Sequence, residues 1–238
     1  MKPGGKLFLI PAPLGENAEE SIPDYVLQTL EQLTYLVAER AKTSRQYLKK
    51  VAGERPMNSW VIEELNKRTP VEELSGLLQP ALDGHDIGLL SEAGCPAVAD
   101  PGARLVELAH RLGITVVPLV GPSSILLALM ASGMNGQSFA FQGYLPANRN
   151  ELAGALRKYE QLSSRYRQTQ IFIETPYRNM AFAETALKTL APATQFCIAA
   201  DLTLPTQWIY SAEIGQWQQI VLPNLHKRPA IFLLYAKK

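Results

Sequence analysis

Cysteine is scarce in this chain, which has two, Cys95 and Cys197, among 238 residues. Two cysteines so far apart provide neither a disulfide framework nor the paired spacing of a zinc site. The three histidines are also scattered, and no H-E-x-x-H or G-x-S-x-G motif accompanies them. The sequence therefore predicts no metal centre, and the cysteine usage favours a reducing compartment, the cytoplasm.

Long apolar runs and an excess of one charge are missing as well. No apolar stretch reaches the roughly 18 residues that a membrane-spanning helix needs, so we expect no membrane partner. The 23 Lys and Arg residues against 22 Asp and Glu leave a net charge of +1, which argues against a protein that coats nucleic acid by bulk charge. Basic residues nevertheless concentrate in segments 40–55 and 149–167. These segments are either solvated helix faces or patches that contact phosphates.

Short apolar runs alternate with helical periodicity along the chain, which predicts an α/β fold. The first domain, residues 1–119, is expected to contain a mostly parallel sheet. In the second domain, residues 120–238, strands follow one another with fewer helices between them, which indicates a mixed sheet. The strands expected in the first domain are 6–10, 35–38, 87–90 and 114–119.

Two local features of the first domain are harder to assign. Ser21 precedes apolar residues at helical spacing, which predicts that its hydroxyl caps the first helix. The segment 57–68 contains apolar side chains that need burial but follows neither the helical nor the strand period. It is left open between the two.

The stretch from Gly88 to Gly102 is the most informative part of the chain. An apolar run ending at Leu90 opens into small residues and two prolines before an amphipathic helix begins. Open α/β sheets bind ligands through the backbone of such loops, at the carboxyl ends of their strands. The loop has neither the lysine of a P-loop nor the G-x-G-x-x-G pattern, so it is expected to bind a ligand of another kind.

Three carboxylates follow predicted strands: Glu39 beside Arg40, Glu92 in the informative loop, and Glu174 shortly before Arg178. Carboxylates at strand carboxyl ends point toward a cleft more often than other surface carboxylates do. The alternative is that they cap helices or pair with the neighbouring arginines. Both interpretations stay open at this point.

Six motifs occur in a fixed order over almost the whole chain. They read P-A-P-L-G from Pro11, A-E-R from Ala38, S-E-A-G-C-P from Ser91 with D-P-G from Asp100, G-P-S-S from Gly121, G-Y-L-P from Gly143 and E-T-P-Y-R from Glu174. The set resembles the tetrapyrrole methylase superfamily. Within it, the set is most similar to the branch of small-subunit ribosomal RNA 2′-O-ribose methyltransferases that act on a cytidine. That branch reads P-T-P-I-G-N, A-E-D-T-R, S-D-A-G-T-P with D-P-G, P-G-P, E-G-F-L-P and Y-E-S-P-H-R.

The resemblance implies a two-domain α/β protein, usually a homodimer, that binds S-adenosylmethionine between its domains. Glu39, Glu92 and Glu174 are the candidates for a catalytic acceptor of a hydroxyl proton. Arg40 and Arg178 are candidates for binding a phosphate or an acidic group of the substrate. The cofactor contacts carried over from the motifs are Pro11, Ala93, Gly94, Cys95, Val98, Ser123, Ser124, Glu174 and Ala230.

The chain departs from the branch pattern on the substrate side. Arg40 stands where A-E-D-T-R has its aspartate, A-R-E-L-T-K becomes A-A-D-L-T-L from Ala199, and K-G-E becomes Lys227-Arg228-Pro229. The resemblance implies 2′-O-methylation of ribosomal RNA, free or in the 30S subunit. Two alternatives remain: C-methylation of a tetrapyrrole such as precorrin or uroporphyrinogen, and a catalytically silent, cofactor-binding, RNA-associated protein.

Overall fold

The computed structural model describes residues 4–51, 53–217 and 219–237 and divides the chain into two compact units. One unit ends at Ser123 and the other begins at Ser124. Each unit contains a five-stranded sheet. The predicted α/β class is confirmed. Among the described residues, no helix has the length and hydrophobicity that crossing a bilayer requires.

The sheet of the first unit has the strand order β3-β2-β4-β1-β5, and every neighbouring pair is parallel. The parallel sheet expected here is confirmed. Because the carboxyl ends of parallel strands share one edge, the loops that follow β1, β2 and β4 meet there. The strands are β1 (Lys6–Ile10), β2 (Tyr35–Ala38), β3 (Val61–Glu64), β4 (Ile87–Leu90) and β5 (Thr115–Pro118). The helices are α1 (Asp24–Gln32), α2 (Ala41–Val51), α3 (Leu74–Leu82) and α4 (Gly102–Arg111).

Helices cover both faces of this first sheet, and alternate strand residues point to opposite sides. Leu7 packs with residues of α3 and α4 in one core, whereas Ile10 packs with residues of α1 and α2 in the other. Gly88 lies in the middle of β4, where an added Cβ would fall 2.6 Å from the Ile10 side chain and 2.9 Å from that of Leu36. The absence of a side chain at Gly88 therefore allows close packing on this face.

Two local predictions for the first unit need correction or completion. The first helix begins at Asp24 after Pro23, so the predicted capping role of Ser21 is wrong. Ser21 ends a 3₁₀ turn instead, and its hydroxyl donates to the carbonyl of Ala18 at 2.6 Å. The ambiguous segment 57–68 contains a 3₁₀ turn, Met57–Ser59, and the edge strand β3.

The sheet of the second unit has the order β6-β7-β10-β8-β9 and is mixed, as expected. Only β6 and β7 run parallel; the other three pairs are antiparallel. The strands are β6 (Phe139–Gly143), β7 (Thr169–Ile173), β8 (Gln195–Ala200), β9 (Trp208–Glu213) and β10 (Ala230–Tyr235). The helices are α5 (Ser124–Ser132), α6 (Arg149–Tyr166), α7 (Asn179–Thr189) and α8 (Ile214–Trp217).

Aromatic side chains form the centre of the second core. Phe182 and Phe232 lie with ring centroids 4.3 Å apart, and Phe172 and Phe196 are fully buried beside them. The indole N–H of Trp217 donates to the carbonyl of Phe196 at 3.0 Å, which satisfies its one polar group inside the core. The same core contains residues of β7 and β10, next to the predicted site residues Glu174 and Ala230.

Candidate active site

The loops after β1 and β4 are joined through their backbones. Ala12 and Gly94 exchange two hydrogen bonds, each with an N···O distance of 2.9 Å, in an isolated antiparallel bridge. Gly94 adopts a φ of +72°, which a residue with a side chain rarely takes. An added Cβ there would lie 3.2 Å from the Leu14 side chain. The predicted ligand loop is therefore held against the loop that follows Pro11.

The rest of this loop follows a fixed path that exposes small side chains. A carboxylate oxygen of Asp100 accepts from the N–H of Ala97 at 2.9 Å and from that of Gly102 at 2.7 Å. Burial raises the pKa of the Asp100 carboxyl, and these two hydrogen bonds oppose the rise. Ala97 and Ala99 have φ values of 64° and 61°, which is strained for residues other than glycine. Such strain, held by surrounding hydrogen bonds, is typical of ligand-binding loops.

Three of the carried-over motifs meet at Cys95. Its thiol donates to the carbonyl of Pro122 at 3.5 Å, and burial raises the pKa of this thiol. Gly121 lies directly against Pro11, because an added Cβ on Gly121 would fall 2.2 Å from a carbon of the proline ring. A half-buried thiol of raised pKa is a poor nucleophile, so Cys95 serves packing and loop position rather than covalent chemistry.

The predicted cofactor residues of the first unit differ in their exposure. Ala93 and Val98 are exposed, Cys95 is half-buried, and Pro11 and Gly94 are buried. Of these five residues, Ala93 and Val98 thus present apolar side chains to solvent. Ser123 ends this unit and is half-buried; Ser124, also half-buried, is the first residue of α5 in the second unit.

A cleft of about 570 Å³ opens at the same edge of the first sheet. Its walls are the loop 12–16, one face of α2 and the residues 90–93 that follow β4. Lys50 and Glu19 also line it, and the ammonium group of Lys50 lies 2.9 Å from a carboxylate oxygen of Glu19. The hydrogen bond from Lys50 is the main reason that the pKa of Glu19 is lowered. Burial, and secondarily the charge of Glu19, raises the pKa of Tyr47, which also lines the cleft, to about 12.

The three candidate carboxylates lie in different surroundings. Glu92 is exposed and lines the cleft, and the hydroxyl of Thr43 donates to its Oε1 at 2.5 Å. Glu39 is half-buried at the end of β2 and does not line this cleft. Arg40 follows it and is exposed. The side chain of Glu174 is 2% exposed.

Glu174 is held by its own loop. Its Oε1 accepts from the Arg178 guanidinium at 2.5 and 2.9 Å and from the backbone N–H of Thr175 at 2.5 Å. An ion pair with so buried a carboxylate fixes the turn between β7 and α7. Ala230, the first residue of β10, is 4% exposed and lies at the same edge of the second sheet, since its neighbour Ile231 pairs with Ile173.

Comparison with known proteins identifies the fold and these motifs. The family model described as Tetrapyrrole (Corrin/Porphyrin) Methylases matches residues 6–218. The chain belongs to this family. It is therefore a methyltransferase, as the motifs predicted, and the predicted resemblance is confirmed.

Two curated relatives of this methylase carry the same name. The ribosomal RNA small subunit methyltransferase I of Escherichia coli O157:H7 is 29% identical over 230 residues, which are 97% of this chain and 77% of the relative. The protein of that name from Thermotoga maritima is 29% identical over 214 residues, 89% of this chain and 90% of the relative.

A solved structure shares the fold of this methylase. It is a uroporphyrin-III C-methyl transferase from Thermus thermophilus complexed with S-adenyl homocysteine. The alignment covers 97% of each chain with a TM-score of 0.55 and 19% identity. At 19% identity, this similarity shows that the two proteins share a fold and shows nothing further about function.

Two of the departures from the branch pattern contact each other in this methylase. The guanidinium of Arg228 lies 2.7 Å from the Asp201 carboxylate and also donates to the Thr206 carbonyl at 2.7 Å. The N–H of Asp201 donates to the carbonyl of Pro229 at 2.9 Å, which ties the end of β8 to the residue before Ala230. The arginine gained in one of these motifs thus pairs with the aspartate of the other.

Sequence reasoning did not single out Thr43 as a partner of Glu92 or Arg228 as a partner of Asp201. Thr43 lies in the first turn of α2, 49 residues before Glu92. The signal that could have pointed to it is its position just after β2, at the edge where strand ends meet. For Arg228 the signal was the pair of departures from the branch pattern: the motif that contains Asp201 has lost basic residues, and the motif that contains Arg228 has gained one.

Proposed function

We propose that this methylase transfers the methyl group of S-adenosylmethionine to a ribose 2′-oxygen of small-subunit ribosomal RNA, in the cytoplasm and as a homodimer. The observation that carries the proposal is the near-complete alignment with two proteins named ribosomal RNA small subunit methyltransferase I. The choice of a ribose 2′-oxygen as acceptor and the homodimer are both proposed from the resemblance of the six motifs to the branch that acts on a cytidine.

The residues of the first unit fit a cofactor recognised by peptide groups. The bridge between Ala12 and Gly94 and the two hydrogen bonds to Asp100 fix the loop, and Ala93 and Val98 lie exposed on it. When bound, S-adenosylmethionine supplies an electrophilic methyl group on a sulfonium, and catalysis of its in-line displacement depends mostly on positioning. The proposed contacts in this unit are Pro11, Ala93, Gly94, Cys95, Val98 and Ser123.

In the second unit the proposed contacts are Ser124, Glu174 and Ala230. Because the carboxylate of Glu174 is already bound by Arg178, its contact with the cofactor is through the backbone. Ala230 suits a contact with the flat adenine of S-adenosylmethionine, since its methyl side chain leaves space for the ring. Arg40 and Arg178 are both proposed to contact a phosphate or an acidic group of the substrate. Arg178 in addition holds the Glu174 carboxylate.

The test is transfer of a tritiated methyl group to purified acceptors. We expect label in 30S subunits or their RNA, and we expect it to be recovered in dinucleotides that resist alkaline hydrolysis, because cleavage needs a free 2′-hydroxyl. Label in uroporphyrinogen instead would establish the tetrapyrrole alternative. Binding of S-adenosylmethionine by calorimetry without transfer to any acceptor would establish the silent protein, and absence of binding would overturn the cofactor.

A further inference from the structure

We propose that the cleft beside α2 binds the acceptor nucleotide, with Glu92 receiving the proton of the 2′-hydroxyl, Thr43 positioning Glu92, and Lys49 contacting the adjoining phosphate. This inference rests on the proposed function and specifies where its substrate lies. It chooses one of the three candidate carboxylates and adds two residues that the motifs do not contain.

The place and size of the cleft suit a single nucleotide. At about 570 Å³ it is within the range of about 300–1,000 Å³ that small-molecule sites occupy. Ala93, which precedes the bridged Gly94, forms part of its wall. A ligand in the cleft is thus adjacent to the loop proposed for the cofactor, as methyl transfer between the two requires.

Glu92 is the only one of the three candidate carboxylates among the residues that line this cleft. The side chain of Glu174 is buried in its pair with Arg178, so a ligand cannot reach its carboxylate from solvent. Glu92 is exposed, and Thr43 donates to its Oε1 at 2.5 Å. Thr43 thereby restricts a side chain that would otherwise rotate freely, and the second carboxylate oxygen can accept from a ligand.

The charges of the lining favour a nucleotide over a tetrapyrrole. Lys50 is paired with Glu19, so these two charges neutralise each other. Lys49 is exposed and lines the cleft, and Glu16 and Glu92 contribute negative charge to the same lining. A uroporphyrinogen carries carboxylates around its rim, which these glutamates would repel. A nucleotide instead presents hydroxyls to Glu92 and one phosphate to Lys49.

The proposed step is balanced within these groups. The 2′-oxygen forms a bond to the methyl carbon, and its proton passes to the Glu92 carboxylate. The carbon–sulfur bond breaks with its electron pair remaining on sulfur, so the products are the methylated ribose and the neutral thioether. Glu92 then returns its proton to solvent, to which it is exposed.

Four variants test the site: Glu92→Gln, Thr43→Val, Thr43→Ser and Lys49→Gln. Arg45→Gln is the matched control, because Arg45 is an exposed cation on the same helix that does not line the cleft. Methyl transfer to 30S subunits gives kcat and KM, and calorimetry gives the affinity for S-adenosylmethionine. We expect Glu92→Gln to lower kcat about 100-fold or more with KM and cofactor affinity unchanged.

The remaining variants separate positioning from binding. Thr43→Val is expected to lower kcat about 10-fold, and Thr43→Ser to restore it, since serine keeps the hydroxyl. Lys49→Gln is expected to raise KM several-fold and to reduce the salt slope of binding by about one, with kcat unchanged. If all four behave like Arg45→Gln while the wild type still methylates the RNA, the cleft is not the acceptor site. Loss of cofactor affinity in Glu92→Gln would instead make Glu92 a cofactor contact and overturn its proposed role. If the wild type does not methylate the RNA, the proposed function fails first.

Discussion

Gly121 and Pro11 touch so closely that a Cβ built on Gly121 would lie 2.2 and 2.3 Å from two carbons of the proline ring. A proline ring cannot rotate away as the end of a flexible side chain can. The thiol of Cys95 also donates to the carbonyl of Pro122, the residue after Gly121. The motifs that contain Pro11, Cys95 and Gly121 are therefore held in contact with one another. A substitution at this contact should therefore displace both the loop after β1 and the loop after β4.

Gly121→Ala is expected to destabilise the protein by about 1–3 kcal/mol, the usual cost of overpacking, and to weaken the affinity for S-adenosylmethionine because Pro11 must shift. Urea unfolding and calorimetry measure the two effects. Gly154→Ala is the control, since Gly154 lies in α6 with open space around an added Cβ. That variant should gain about 0.5–1 kcal/mol and bind as the wild type does. Equal behaviour of the two variants would contradict the contact.

Gly94→Ala is expected to cost about 1–2 kcal/mol, because φ at this residue is +72°, and to lower cofactor affinity by at least tenfold. Gly113→Ala separates the two effects. Gly113 has φ +73° and nothing within reach of an added Cβ, and it lies outside the ligand loop. It should lose similar stability and keep its cofactor affinity. If Gly94→Ala and Gly113→Ala lose cofactor affinity to the same extent, residues 93–98 do not form the cofactor-binding loop.

Asp100 gives a pH-dependent prediction. Burial raises the pKa of this carboxyl in the folded state, so the folded protein holds the proton more tightly than the unfolded chain does. The contribution of Asp100 to the free energy of unfolding therefore falls as pH rises from the unfolded pKa of about 3.9 through the raised folded value. Asp100→Asn keeps the acceptor oxygen and has no such dependence. It should match or exceed the wild type in stability at pH 7, and this advantage should disappear in acid.

Asp100→Ala is the companion variant, because it removes the acceptor for both Ala97 and Gly102. It should be less stable than Asp100→Asn by about 1–3 kcal/mol at every pH, since neither variant titrates at this position. Urea unfolding of the three proteins between pH 3 and pH 8 makes the comparison. A wild type that gains stability relative to Asp100→Asn as pH rises would show that the hydrogen bonds outweigh burial.

The pair of Asp201 and Arg228 should act as a unit. The Asp201 side chain is 8% exposed, so Arg228→Ala leaves a buried charge without its partner and should cost about 2–4 kcal/mol. Arg228→Ala combined with Asp201→Asn should cost less than the sum of the single changes. A double-mutant cycle by urea unfolding measures the coupling. A coupling near zero would mean that the two departures from the branch pattern are unrelated.

The sequence predicted those parts of the fold that depend on local pattern. The buried parallel strands β1, β2 and β4 are short apolar runs, and they lie where they were expected. The edge strand β3 was left open, because Val61 is exposed and two of its four residues are glutamates. The start of α1 at Asp24 was missed because Ser21 and Pro23 both favour a helix start and lie close together.

The site was predictable as far as motifs reach. They placed Gly94 and Glu92 at a sheet edge, but they could not show that Glu92 has Thr43 as a partner or that Glu174 is already paired. The contact of Glu92 with Thr43 depends on how distant segments pack, which a single sequence does not encode locally. The pair of Glu174 and Arg178 is local and was one of the two interpretations left open, but the sequence alone could not choose between them. The roles of these residues, and the domain boundary between 119 and 120, stay predictions.

Each sheet is built from one uninterrupted stretch of chain. All strands of the first lie between Lys6 and Pro118, and all strands of the second between Phe139 and Tyr235. During synthesis the ribosome therefore makes every strand of the first sheet before any strand of the second. The parallel pairings of the first sheet, which close slowly, can then begin to form while the strands of the second sheet are still being made.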